Sequence, residues 1–76
     1  MRIAALDLGS NSFHLLVAEV RPDGAFTPIT AEKEMLRLGE EVSRTGSISE
    51  ATADRMGEGV RRLAARATAN GAEEII

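Results

Sequence analysis

Three adjoining stretches decide how this chain folds: Arg2-Ile3-Ala4-Ala5-Leu6-Asp7-Leu8, then Gly9-Ser10-Asn11-Ser12, then Phe13-His14-Leu15-Leu16-Val17-Ala18-Glu19-Val20. The first and third are apolar runs without clean alternation. Each reads as a buried strand covered on both faces. Only four residues separate them. A parallel pair needs a crossover of a dozen residues or more, so the two runs form an antiparallel hairpin.

The reading extends outward from that hairpin. Arg21-Pro22-Asp23-Gly24 is a turn, with proline presetting φ at its second position and glycine suited to its fourth. A third strand is expected from about Ala25 to about Leu38. Pro28 cannot donate to a ladder, so its nitrogen side should face solvent or a bulge. Gly39 to Ile48 is polar, contains two glycines and reads as a loop. Ser49 then suits a helix N-cap with Glu50 in the first turn. Ala53, Met56, Val60, Leu63, Ala64 and Ala67 recur at helical spacing as an apolar stripe. Asn70-Gly71 is a helix stop, and Glu73-Glu74-Ile75-Ile76 begins a further strand. The order β-β-β-α-β makes an α/β fold that opens on a three-stranded antiparallel meander.

Composition narrows the function. The chain has 76 residues, no cysteine, and aromatic residues at only 3%. Neither a disulfide nor a thiolate metal site can reinforce a core this small. The formal net charge of −3 argues against a nucleic-acid surface. It leaves room for a phosphate ligand, because backbone amides hold phosphate without net positive charge. Met1 to Asp7 does not read as a signal peptide. No apolar stretch approaches the length needed to cross a bilayer. Lack of cysteine fits a cytoplasmic setting.

Asp7-Leu8-Gly9-Ser10-Asn11-Ser12-Phe13 is the segment that carries chemistry. Gly9 can take positive φ and lets a ligand approach the backbone. A tight turn through Ser10, Asn11 and Ser12 can aim successive amides at one anion, and their side chains add donors. Asp7 would repel phosphate, so beside one it would face a divalent cation; magnesium takes one or two carboxylates, several waters and substrate oxygens. On composition alone the same residues also make a plain hairpin turn capped by Asp7. The single histidine, His14, reads as a strand residue packed or hydrogen-bonded locally. Arg37 is read as a surface or structural ion pair with a phosphate contact as the alternative, and Arg55, Arg61, Arg62 and Arg66 as solvated helix charge.

Asp7-Leu8-Gly9-Ser10-Asn11-Ser12-Phe13-His14-Leu15-Leu16-Val17 resembles the opening signature of the exopolyphosphatase / guanosine pentaphosphate phosphohydrolase (Ppx/GppA) family. Leu36-Arg37-Leu38-Gly39-Glu40, Arg44-Thr45-Gly46 and Ile48-Ser49-Glu50-Ala51 resemble it too, in order and spacing. The resemblance implies the ribonuclease-H-like fold of the actin-like ATPase superfamily, with helices on both sheet faces. Residues 1–76 would be the N-terminal part of one lobe, with the remainder and a second lobe absent. It implies that Gly9, Ser10, Asn11 and Ser12 bind phosphate and that Asp7 lies at a magnesium ion. Its substrates would be inorganic polyphosphate or guanosine pentaphosphate, and the full-length protein a homodimer. The family's second glycine-rich loop and catalytic glutamate would lie beyond Ile76, so no residue here is assigned as catalytic and the chain alone is expected to be inactive. A nucleotide-binding actin-like module, kinase or chaperone, is the competing enzyme class. Many of those carry Lys, Arg or Thr in or just after this loop, where this chain has Ser-Asn-Ser-Phe-His. The third reading is a non-catalytic structural piece.

Overall fold

The computed structural model describes residues 1–76. Its elements are β1 (Arg2–Leu8), β2 (Ser12–Val20), β3 (Phe26–Met35), α1 (Leu38–Thr45), α2 (Glu50–Ala69) and β4 (Glu74–Ile75). They form one four-stranded sheet in the order β3-β2-β1-β4. β2 runs antiparallel to both β1 and β3, whereas β4 lies parallel to β1. The meander and the following strand are therefore as expected. The parallel β1–β4 pair is possible because the chain travels through α2 before returning.

β3 is an edge strand and shorter than expected. Its ladder with β2 slips between Val17 and Ala18, where Val17 faces Thr30 and Ala18 faces Pro28. Ile29 is thus the extra residue of a bulge beside Pro28, which accommodates a residue with no N–H to donate.

The stretch after β3 departs from expectation. Leu38–Thr45 is a helix, not a loop. Its two glycines do not interrupt it. Gly39 lies in the first turn, and Gly46, at φ 78°, is the left-handed residue that ends it, its amide donating to the Val42 carbonyl. Glu40 and Glu41 at the start and Arg44 at the end suit the dipole. Two turns of helix are marginal alone, and burial of Leu38 anchors them.

α2 starts and stops where its caps dictate. Ser49 is the N-cap, its hydroxyl accepting from the Thr52 amide at 3.2 Å. At the far end Gly71 takes φ 81° and the Ala72 amide returns to the Ala67 carbonyl at 3.0 Å. The inward stripe is Thr52, Gly59, Leu63 and Ala67, with Met56 and Val60 partly buried. Ala53 is exposed, so the expected stripe is rotated slightly. Gly59 sits over Phe13, where a Cβ would find the ring at 3.8 Å.

This face makes the core: Ala4 from β1, Phe13, Leu15 and Val17 from β2, Leu36 and Leu38 from the β3–α1 junction, and Leu63 and Ala67 from α2. The opposite face, expected to be covered, is open. Leu16 is 37% exposed there and joins Ile3, Ala5 and Phe26 in a shallow apolar depression. The molecule is elongated, 48 × 19 × 15 Å.

Polar pairs fasten α2 to the edge strand. The Arg62 guanidinium donates to Glu34 at 3.0 and 3.2 Å, and Arg66 pairs with Glu32. The Arg62 hydrogen bonds hold the Glu34 carboxyl below its ordinary value of 4.5. The amino terminus and then Arg2 do the same for Glu19. Around that pH the unfolded chain binds more protons than the folded one, so these pairs stabilise the fold above it and their contribution vanishes as pH falls through the lowered values. Thermal midpoints should therefore decline on acidification below pH 4.5, and Arg62→Gln should make the decline shallower. A midpoint that rises on acidification contradicts the pairing.

Candidate functional site

The β1–β2 hairpin closes with Leu8 opposite Phe13, and the Gly9 amide donates to the Ser12 carbonyl at 3.1 Å. Ser10 and Asn11 form the tip. Two-residue hairpin tips favour turns with positive φ, whose twist matches the strands. Neither Ser10 nor Asn11 has positive φ. The tip is instead held from outside. The amides of Leu36 and Arg37 both donate to the Asn11 carbonyl, at 2.9 and 3.0 Å, and the Gly39 amide donates to the Ser10 carbonyl at 3.0 Å.

This clamp has two consequences. The tip carbonyls are occupied, and the Ser10 and Asn11 amides donate to no group in the protein. Those two exposed, consecutive amides are the donors an anion can use. The clamp also requires Arg37 to be left-handed, at φ 55° and ψ 41°. For a residue with a Cβ that costs about 1–2 kcal/mol, and it lets two successive amides converge on one carbonyl. Gly39 must come close as well, since a Cβ there would lie 3.0 Å from Asn11 Oδ1.

The structure brings Asp7, Gly9, Ser10, Asn11 and Ser12 together at one end of the sheet. Gly9 differs from expectation in two respects. Its φ is not positive, and its amide is already engaged. It supplies room instead, because a Cβ would crowd the Ser12 carbonyl oxygen at 3.2 Å. Asp7 is exposed and has neither an ion pair nor a hydrogen-bond partner for its carboxylate, so it does not cap the turn. It stands alone as a carboxylate: no group of three His, Cys, Asp or Glu side chains gathers in a metal-binding arrangement.

His14 lies opposite Asp7 on the neighbouring strand, and its Nε2 is 2.9 Å from Ser12 Oγ. Residues two apart on a strand share a face, so this pair was open to discovery from spacing. Arg37 corrects another expectation, since it forms no ion pair. With Arg44 and Arg55 it lines a cleft that begins where the clamp holds the loop.

The comparisons agree with this geometry. Over all its 76 residues the chain is 36% identical to exopolyphosphatase 1 of Mycobacterium tuberculosis and 34% identical to that of Mycobacterium leprae. Among solved structures, a Ppx/GppA family member from Aquifex aeolicus superposes on 99% of the chain with a TM-score of 0.84 at 25% identity. The chain matches the Ppx/GppA family as a fragment of it. An exopolyphosphatase from Cytophaga hutchinsonii superposes on the whole length of this chain, again at 0.84, with 26% identity. No family model matches. The chain spans about a fifth of the curated relatives, 22%, and 24% of either structure. The fold is therefore that of the actin-like ATPases, seen here through the meander, its helices and the strand that follows.

Hydrogen exchange tests the clamp. The amides of Leu36, Arg37 and Gly39 should be protected, while those of Ser10 and Asn11 exchange near their intrinsic rates. Protection at Ser10 and Asn11 would mean that the tip is satisfied internally.

Proposed function

We propose that this chain is the opening part of an actin-like lobe in a longer phosphohydrolase, which releases the terminal phosphate of inorganic polyphosphate or guanosine pentaphosphate. One observation carries the reading: two neighbouring amides, Ser10 and Asn11, are free in a loop whose carbonyls are fixed, beside an unpartnered carboxylate. The exopolyphosphatases named above support the substrate class.

In this reading the Ser10 and Asn11 amides hold the oxygens of the phosphoryl group, and they do so without rearranging as charge develops. Gly9 keeps the approach clear. The Ser12 hydroxyl, hydrogen-bonded with His14 Nε2, is a further polar group at the same loop. Asp7 would hold magnesium from one side, which suits an ion that takes a single carboxylate and fills its remaining positions with water and phosphate oxygens. When bound, such an ion neutralises charge on the phosphoryl oxygens. The base that activates water needs hydrogen-bond reach of it, and no residue of this chain is assigned that role.

Asp7→Ala in the intact protein tests the proposal. Phosphate release should fall by roughly 10- to 100-fold, with more magnesium needed for half-maximal rate. Near-normal release from a folded variant would remove Asp7 from the metal site.

A further inference from the structure

The chain carries twelve acidic residues against nine basic ones, so its arginines have ample carboxylates to choose from. Arg2, Arg21 and Arg66 each pair with one, and Arg62 pairs with two. Arg37, Arg44, Arg55 and Arg61 pair with none. Three of these four unpaired arginines, Arg37, Arg44 and Arg55, converge on one cleft of about 450 Å³. That volume lies within the range of roughly 300–1,000 Å³ typical of small-ligand sites.

The position of the cleft gives it meaning. It runs from the end of β3 across α1 to the first turns of α2. Its starting residues, Leu36 and Arg37, are the ones whose amides grip Asn11. Arg37 sits there at a conformational cost, with its guanidinium exposed and unpaired. Arg55 is steadied by a 3.1 Å hydrogen bond to the Thr52 hydroxyl. Glu40 and Glu41 also face the cleft. The Glu41 carboxylate is committed locally, held below its ordinary value first by the Thr52 hydroxyl and then by the Ser49 amide, which donates at 3.2 Å. No aromatic side chain lines the cleft.

We propose that Arg37, Arg44 and Arg55 form a subsite for the phosphates that follow the one held at the Ser10–Asn11 tip, so that the chain reads a condensed phosphate chain and not a lone phosphate. Guanidinium forks suit this ligand, since each presents several donors to phosphate oxygens at a fixed charge. The subsite rests on the loop reading for its register, but its arginines are separate from the loop.

Equilibrium binding to the intact protein in EDTA separates the two, with orthophosphate, tripolyphosphate and guanosine pentaphosphate as probes. Arg44→Gln with Arg55→Gln should weaken tripolyphosphate by roughly tenfold for each arginine lost, leaving orthophosphate unchanged. Asn11→Pro, which removes a tip amide, should weaken both. Unchanged tripolyphosphate binding in the double variant overturns the subsite and leaves the loop standing. Loss in the double variant with no effect of Asn11→Pro supports the subsite and sinks the loop. Absence of tripolyphosphate binding in the wild type overturns both. Guanosine pentaphosphate should track tripolyphosphate; affinity for it that survives the double variant would place recognition elsewhere and overturn the proposal. Should the glutamine pair unfold, lysine at both positions keeps the charge without the fork and should still bind tripolyphosphate more weakly than wild type, equal binding overturning the role of the forks.

Discussion

Three backbone amides, those of Leu36, Arg37 and Gly39, grip two carbonyls at the tip of the first hairpin, and the rest of the site depends on that grip. Without it the tip has a conformation that two-residue hairpins disfavour. With it, Ser10 and Asn11 have their acceptors turned toward protein and their donors left over. The interaction is between parts of the chain some twenty-five residues apart, so the loop is built by the tertiary fold and not by its own turn preference. Its cost is visible in the left-handed Arg37. Backbone strain of this kind persists only where surrounding structure over-determines it.

The core supplies that over-determination. Leu36 and Leu38 flank Arg37 in sequence, and both are buried with Phe13 and Leu63. Anchoring the residue on either side leaves Arg37 little freedom to relax. Phe13 in turn follows the loop directly and packs beneath α2 at Gly59. The hydrophobic contacts thus fix both partners of the clamp, the hairpin and the β3–α1 junction. The ion pairs Arg62–Glu34 and Arg66–Glu32 hold α2 over the same edge strand. Being exposed, they secure register more than they add stability.

Much of this was legible in the chain. The hairpin followed from a linker too short for a crossover, the β3 bulge from Pro28, and the limits of α2 from Ser49 and Gly71. These are local signals. The features that escaped are non-local or depend on context. α1 was hidden because Gly39 and Gly46 look like loop residues until one is seen beside Asn11 and the other as a helix stop. Positive φ at Arg37 has no sequence signal, since arginine has no preference for that region. The gathering of Asp7, Gly9, Ser10, Asn11 and Ser12 was expected, but which amides remain free depends on partners contributed by a distant segment. The unpaired state of Arg37, Arg44 and Arg55 likewise required the whole constellation of carboxylates to be placed.

A structure of the intact protein with phosphate or a phosphate analogue bound would judge the central claim most directly. The account predicts an anion oxygen at hydrogen-bond distance, about 2.7–3.2 Å, from the Ser10 and Asn11 nitrogens, with the Leu36, Arg37 and Gly39 clamp intact. An anion seated elsewhere, while those two amides bind protein groups, would contradict it.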